Sequence, residues 1–142
     1  RTVDALKDAG TVNSIPIIRQ AFKDKEQAVR MEAVLALRRI GHRNGVPLLT
    51  NAALNDKSPQ VRAAAARHLG KLGVKDPRAV GALAQILADK TPTVRIRAVE
   101  SLGFLQLPEA VAVLQQALED KDPGVRIRAT EVLGRVLAKE FE

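Results

Sequence analysis

The chain has 142 residues with 46% hydrophobic side chains, and its 23 Lys and Arg outweigh 16 Asp and Glu to give a formal charge of +7. It contains no cysteine, which excludes disulfides, thiolate nucleophiles and cysteine-held metals. With three Phe and no Tyr or Trp, its core must be built from Ala, Val, Leu and Ile, and Ala and Leu are strong helix formers.

Residues 1–10 come first. The stretch DALKDAGTVNSIP (4–16) can be laid over ALRRIGHRNGVP (36–47), with Gly10 on Gly41 and Ile15 on Val46. They therefore read as the tail of an earlier helix whose partner is missing. The chain opens on Arg1 rather than Met, and the expectation is a piece of a longer protein. The apolar segment IPIIRQAF (15–22) follows, and then DKEQAVRMEAVLALR (24–38). The same succession recurs as VPLLTNAAL (46–54) and DKSPQVRAAAARHLG (56–70), then as AVGALAQIL (79–87) and DKTPTVRIRAVESLG (89–103). The last copy is AVAVLQQAL (110–118) and DKDPGVRIRATEVLG (120–134), ahead of the more charged end RVLAKEFE.

Val29, Val61, Val94 and Val125 mark the register, spaced by 32, 33 and 31 residues. Around each, Asp-Lys stands at one offset before, Arg directly after, Ala four later and Leu eight later. Apolar residues at three- and four-residue steps predict helices in both segments of each copy, so the repeating unit is helix A, a short turn and helix B. Ser58-Pro59, Thr91-Pro92 and Asp122-Pro123 read as an N-cap followed by proline at the first helical position. Glu26-Gln27 lacks both features, which predicts a less sharp start for the first B helix. Gly70, Gly73, Gly103 and Gly134 are expected to loosen or end the B helices.

The pattern D-K-x-P-x-V-R-x-x-A-x-x-x-L-G resembles the HEAT-like repeats of the short bacterial type, the class also seen in phycobilisome lyase-like proteins. The resemblance covers nearly the whole chain. It implies an all-α fold, a right-handed α-solenoid of about four helix–turn–helix repeats whose B helices line a concave face. The expected division is one domain over 1–142, with repeats at 11–41, 42–73, 74–106 and 107–142. The resemblance also implies an Asp–Arg ladder along the stack.

Asp24, Asp56, Asp89 and Asp120 precede Arg30, Arg62, Arg95 and Arg126 by six residues each. Each carboxylate belongs in the turn near the positive start of helix B, where it can accept from the arginine fork of its own or the next repeat. A catalytic site needs a unique constellation, and these pairs recur with every unit. They read as a staple between repeats.

On a helical wheel, core positions of helix B fall at the Val and at +4, +7, +8 and +11, and the solvent ridge at +3, +6 and +10. In order, the ridge is Glu32, Leu35, Arg39; Ala64, Arg67, Lys71; Arg97, Glu100, Phe104; and Arg128, Glu131, Arg135. The candidate binding residues are Arg39, Arg67, Lys71, Arg97, Phe104, Arg128 and Arg135, arginine anchors around an apolar side chain. Arg97–Glu100 and Arg128–Glu131 are spaced for local ion pairs.

Enzyme readings find little purchase. His42 and His68 lack metal-ligand spacing, and neither is followed by the Glu that the di-iron hydroxylases of this fold carry. HEAT-like alkylpurine DNA glycosylases use an aromatic-lined site that a chain without Trp or Tyr does not build. The phycobilin lyase relatives stay open by name only, because the residues shared with them are the scaffold residues. There is no glycine-rich phosphate loop, and Ser14, Ser58 and Ser101 have no general base at recognisable spacing.

The expectation is a non-catalytic scaffold, without metal or cofactor, whose concave face binds a protein with an acidic segment. Nucleic-acid binding through phosphates is the alternative, weakened by the interrupting glutamates and by arginines committed to the staple. No apolar stretch approaches the roughly 20 residues that span a bilayer, and no signal peptide is visible. No membrane partner is expected, and a cytoplasmic place is favoured.

Overall fold

The structure is a computed structural model, and it describes residues 14–74 and 76–139. The expected remnant helix at residues 1–10 lies outside these, as do the last three residues of the charged end. Among the described residues eight α-helices follow one another: α1 Ile15–Ala21, α2 Gln27–Ile40, α3 Val46–Asn55, α4 Pro59–Leu72, α5 Pro77–Ile86, α6 Pro92–Leu102, α7 Glu109–Ala117 and α8 Pro123–Lys139. A 3-10 turn, Arg43–Gly45, sits between α2 and α3. The odd-numbered A helices pack on one another and the even-numbered B helices do likewise. Two helical layers result, with the core between them, and the stack is the expected all-helical solenoid. No described helix is long and apolar enough to cross a membrane.

The wheel explains the core. Ala33, Ala65, Ala98 and Ala129 at +4 are fully buried, and Leu37, Leu69, Leu102 and Leu133 at +8 are buried with them. The A helices contribute Ile18, Leu49, Leu83 and Leu114, each with no exposed surface. Burying a Leu or Val side chain contributes about 1.5–3 kcal/mol, so an aromatic-poor chain still closes its core by repetition.

The turn chemistry differs in detail from the sequence reading. Ser58 caps α4, its hydroxyl accepting from the Val61 N–H at 3.4 Å, and Asp122 accepts from the Val125 N–H at 3.2 Å. Thr91 makes no cap bond; its hydroxyl instead lies 3.4 Å from Arg62 Nη2. The uncapped α2 begins at Gln27, the same register position as Pro59, Pro92 and Pro123, so the expected less sharp start is corrected. The cause is Asp24, whose Oδ1 accepts from the Glu26 N–H at 2.8 Å and closes the turn without a cap residue.

That bond recurs in every copy. Asp56, Asp89 and Asp120 accept through Oδ1 from the N–H two residues on, each at 2.9 Å. Thus fixed, each carboxylate faces the arginine of the preceding repeat. Arg30 grips Asp56 through Nε and Nη2 at 2.9 and 3.2 Å, Arg62 grips Asp89 at 2.8 and 3.4 Å, and Arg95 grips Asp120 at 3.0 and 3.1 Å. The remaining nitrogen, Nη1, donates to a backbone carbonyl of the arginine's own turn: Asp24, Asp56 and Asp89 respectively. The staple therefore uses the carboxylate of the next repeat and the carbonyl of its own. These three arginine side chains are 4–8% exposed and their carboxylates 6–11%.

Two of the glycines expected to loosen or end helices do not end them. Gly70 and Gly134 lie inside α4 and α8. A Cβ on Gly70 would stand 2.5 Å from the Ser101 Cβ, and one on Gly103 2.7 Å from Val132 Cγ1. At Gly70 the backbone of Ser101 on the next B helix stands within 2.6 Å of where a Cβ would lie, so only glycine admits that crossing. Ser101 completes the first crossing by donating into the carbonyls of Ala66 and Arg67. Gly73 and Gly103 do end α4 and α6, and Gly41 ends α2 at φ +67°.

His68, at +7 of α4, is buried. Burial first, then the nearby cations Arg38, Arg67 and Lys71, hold its pKa down to about 4. Its Nδ1 has no hydrogen-bond partner.

Two stability outcomes follow from this packing. Arg95→Ala strips a buried carboxylate of its fork, so chemical unfolding should show a loss of about 3–5 kcal/mol. Arg126→Ala, which touches only exposed turn carbonyls, should cost less than about 0.5 kcal/mol. For His68 the folded pKa lies below the unfolded value near 6.5, so between the two the unfolded state binds the proton and the folded state does not. Stability is whole above pH 6.5, falls as pH drops towards 4, and then levels, the total being on the order of 3 kcal/mol. Melting His68→Met beside the parent chain between pH 7 and 4 should show this component only in the parent.

Candidate functional site

Ridge residues of three B helices, α4, α6 and α8, line one open groove of about 720 Å³, though Ala64 and Glu131 stay outside it. The rows converge because the ladder holds successive B helices in one register, so equivalent positions stand side by side. Six of the seven sequence candidates line this groove: Arg67, Lys71, Arg97, Phe104, Arg128 and Arg135. Arg39 does not. It is exposed on α2, outside the groove. Leu35, the other apolar ridge residue, is half-buried and also outside.

The cations of the groove are of two kinds. Glu100 gathers Arg97 at 2.8 Å on its own helix and Arg128 at 2.6 Å from the next, while Glu131 lies 3.5 Å from Arg128. The bridge from Arg128 to Glu100 crosses between repeats and has no local signature in the sequence. Arg67, Lys71, Arg135 and Lys139 make no ion pair among the described residues. Lys71 places its Nζ 5.6 Å from the centroid of the Phe104 ring, an arrangement contributing about 0.5–1 kcal/mol at an exposed site. Phe104 itself is 49% exposed, so the neighbouring repeat does not absorb it.

Sequence reasoning missed Lys139, Val136 and Ala138, which line the end of the groove on α8. The signal was available: carrying the ridge one turn past +10 reaches Lys139. Val132 and Val136 were read as core from their register. They also form the apolar floor beneath the arginines, because α8 is the last B helix of the described stack.

The histidines stay outside the groove. His42 Nδ1 accepts from the Asn44 N–H at 3.0 Å and caps the 3-10 turn. Asp76, absent from the sequence reading, caps α5 by accepting from the Arg78 N–H at 3.0 Å. The Arg78 guanidinium beside it holds its carboxyl below the usual range. Among the described residues no group of His, Asp and Glu is placed to hold a metal ion.

Comparison with known proteins places this geometry in context. The family model for HEAT repeats matches residues 46–134, and the model for the PBS lyase HEAT-like repeat matches residues 29–55. No curated protein matches the sequence. Among solved structures, the complex of CpcE and CpcF of phycocyanin lyase from Nostoc sp. PCC7120 is similar at a TM-score of 0.73 and 25% identity, over 92% of this chain and 85% of that one. This likeness corrects the expectation of a non-catalytic chain, since the similar structure is that of a lyase. The missing catalytic motifs were weak grounds for that expectation, because scaffold residues dominate such sequences and conceal what the scaffold carries. A match extending over more than half of the chain, on a stack of helix pairs in the same register, makes the protein a member of the HEAT-repeat family.

Proposed function

We propose that the groove between α4, α6 and α8 holds an acidic segment of a partner protein, and that the repeats act as the scaffold presenting it. The observation that carries this reading is the set of cations without an ion pair among the described residues, Arg67, Lys71, Arg135 and Lys139, around the exposed ring of Phe104. Such a groove suits carboxylates spaced along an extended or helical segment, with an apolar side chain set against the ring. The similar structure is itself a complex of two proteins of a lyase, which supports a second, compatible role as a subunit of a lyase-type assembly acting on a bound protein. Glu100 and Glu131 interrupt the positive surface and disfavour a continuous phosphate track.

A fluorescent amphipathic helical peptide, Glu on one face and Leu on the other, is the direct probe. Arg67→Glu combined with Arg135→Glu should weaken its binding at least about tenfold, and Phe104→Ala should weaken it further, with unchanged melting temperatures. Arg97→Glu should do less, because Glu100 already occupies Arg97. If the peptide fails to bind while mixed-sequence DNA binds with an affinity that collapses between about 50 and 200 mM salt, the groove reads phosphates and the protein-partner reading falls.

A further inference from the structure

The groove is not uniform along the stack. On α4, Arg67 and Lys71 make no ion pair among the described residues, and neither do Arg135 and Lys139 on α8. Between them, α6 places a carboxylate, Glu100, in the groove wall. Its Oε1 accepts from Arg97 Nη1 at 2.8 Å, and its Oε2 lies 2.6 Å from Arg128 Nη2. Glu131 lies 3.5 Å from Arg128 Nη1, so two carboxylates balance two guanidiniums. Beside this neutral centre stands the ring of Phe104, two residues past the end of α6 and 49% exposed. Across the stack the groove is therefore cationic, then neutral and apolar, then cationic again.

Position +10 gives this order its sharpest form: Lys71, Phe104 and Arg135. The same position is exposed in the first repeat, at Arg39, so the row belongs to the repeating unit and not to its last copy. Close crossings at Gly70 and Gly103 hold these B helices together, which sets about 8–10 Å from one row to the next. A polyproline-type segment turns once every three residues and rises about 9 Å as it does. Its side chains at i, i+3 and i+6 therefore meet three successive rows. Same-face residues of a β-strand fall about 6.6 Å apart, and an α-helix needs seven-residue steps of about 10.5 Å. Both drift out of step with the rows.

We propose that the groove selects an extended segment in which an apolar residue stands between two acidic ones, at i, i+3 and i+6, and that Glu100 enforces this order. The proposal rests on the reading of the groove as a site for an acidic segment of a partner protein. The outer carboxylates meet Lys71 and Arg135, and the apolar side chain lies on the ring of Phe104. A carboxylate in the middle position is rejected twice. It approaches a like charge at Glu100, and the arginines that could receive it, Arg97 and Arg128, are already engaged. Specificity achieved through a repulsive group in this way is separable from affinity. A continuous acidic run carries more charge and is nevertheless the poorer ligand.

Three peptides with capped ends, labelled for fluorescence anisotropy, test this on the whole chain. The first is Glu-Pro-Pro-Leu-Pro-Pro-Glu. The second, Leu-Pro-Pro-Glu-Pro-Pro-Glu, has the same composition in another order, and the third, Glu-Pro-Pro-Glu-Pro-Pro-Glu, carries the larger charge. Prolines keep all three extended. The first should bind at least about tenfold more tightly than either of the others. Glu100→Gln should narrow the gap between the first and the third at least about threefold, chiefly by strengthening the third. The ranking on the parent chain stands without that variant. Binding of either control as tight as that of the first peptide, or a gap that Glu100→Gln leaves in place, overturns the proposal. If the amphipathic helical peptide binds and the first extended peptide does not, the groove still takes acidic segments and the proposed order falls. If neither the helix nor any extended peptide binds, the reading of the groove falls and this proposal with it.

Discussion

A bidentate bond between the arginine of one repeat and the turn aspartate of the next is the constraint on which this structure depends. It is a three-part joint. The aspartate is fixed by the N–H two residues on, the arginine is fixed by a carbonyl of its own turn, and the two then meet edge to edge. Because both partners are nearly removed from water, desolvation offsets much of the Coulomb attraction, and the gain is as much in register as in stability. A fork that accepts a carboxylate in one geometry fixes where the next B helix begins.

Register along the stack is what creates the groove. Once Val61, Val94 and Val125 occupy equivalent heights, the +3, +6 and +10 residues of three helices form adjoining rows. Isolated surface side chains become a lined channel without any loop being built for the purpose. The same register brings Glu100 against Arg128 of the following repeat, which neutralises the middle of the channel and leaves cations to either side that no described carboxylate pairs. The ridge positions are among those that the repeat itself leaves undetermined.

Much of this was legible in the sequence, for a physical reason. Four copies of one phrase average out the ambiguity of any single copy, so the helix pairs, the +4 alanines and the +8 leucines could be placed from periodicity. The staple between repeats was read as well, but not which partners it joins. Whether Arg62 meets Asp56 or Asp89 depends on a rotation between units that no local pattern encodes. The roles of Gly70 and Gly103 depend on where the next helix crosses, and Gly134 carries the same residue with nothing across from it. Thr91 had the right neighbour for a cap, yet its hydroxyl faces Arg62 of the previous repeat instead. Activity was the least legible property, because the residues that repeat are those that fold.

The central claim is that the ladder couples neighbouring repeats rather than decorating their edge. A double-mutant cycle on Arg62→Ala and Asp89→Ala, measured by chemical unfolding, tests it most directly. Coupling predicts that the two single losses together exceed the loss in the double variant by about 2–3 kcal/mol, since each single variant leaves the other group buried and unpaired. Losses that add to within about 0.5 kcal/mol would mean that the two side chains act independently, and that apolar packing alone sets the register.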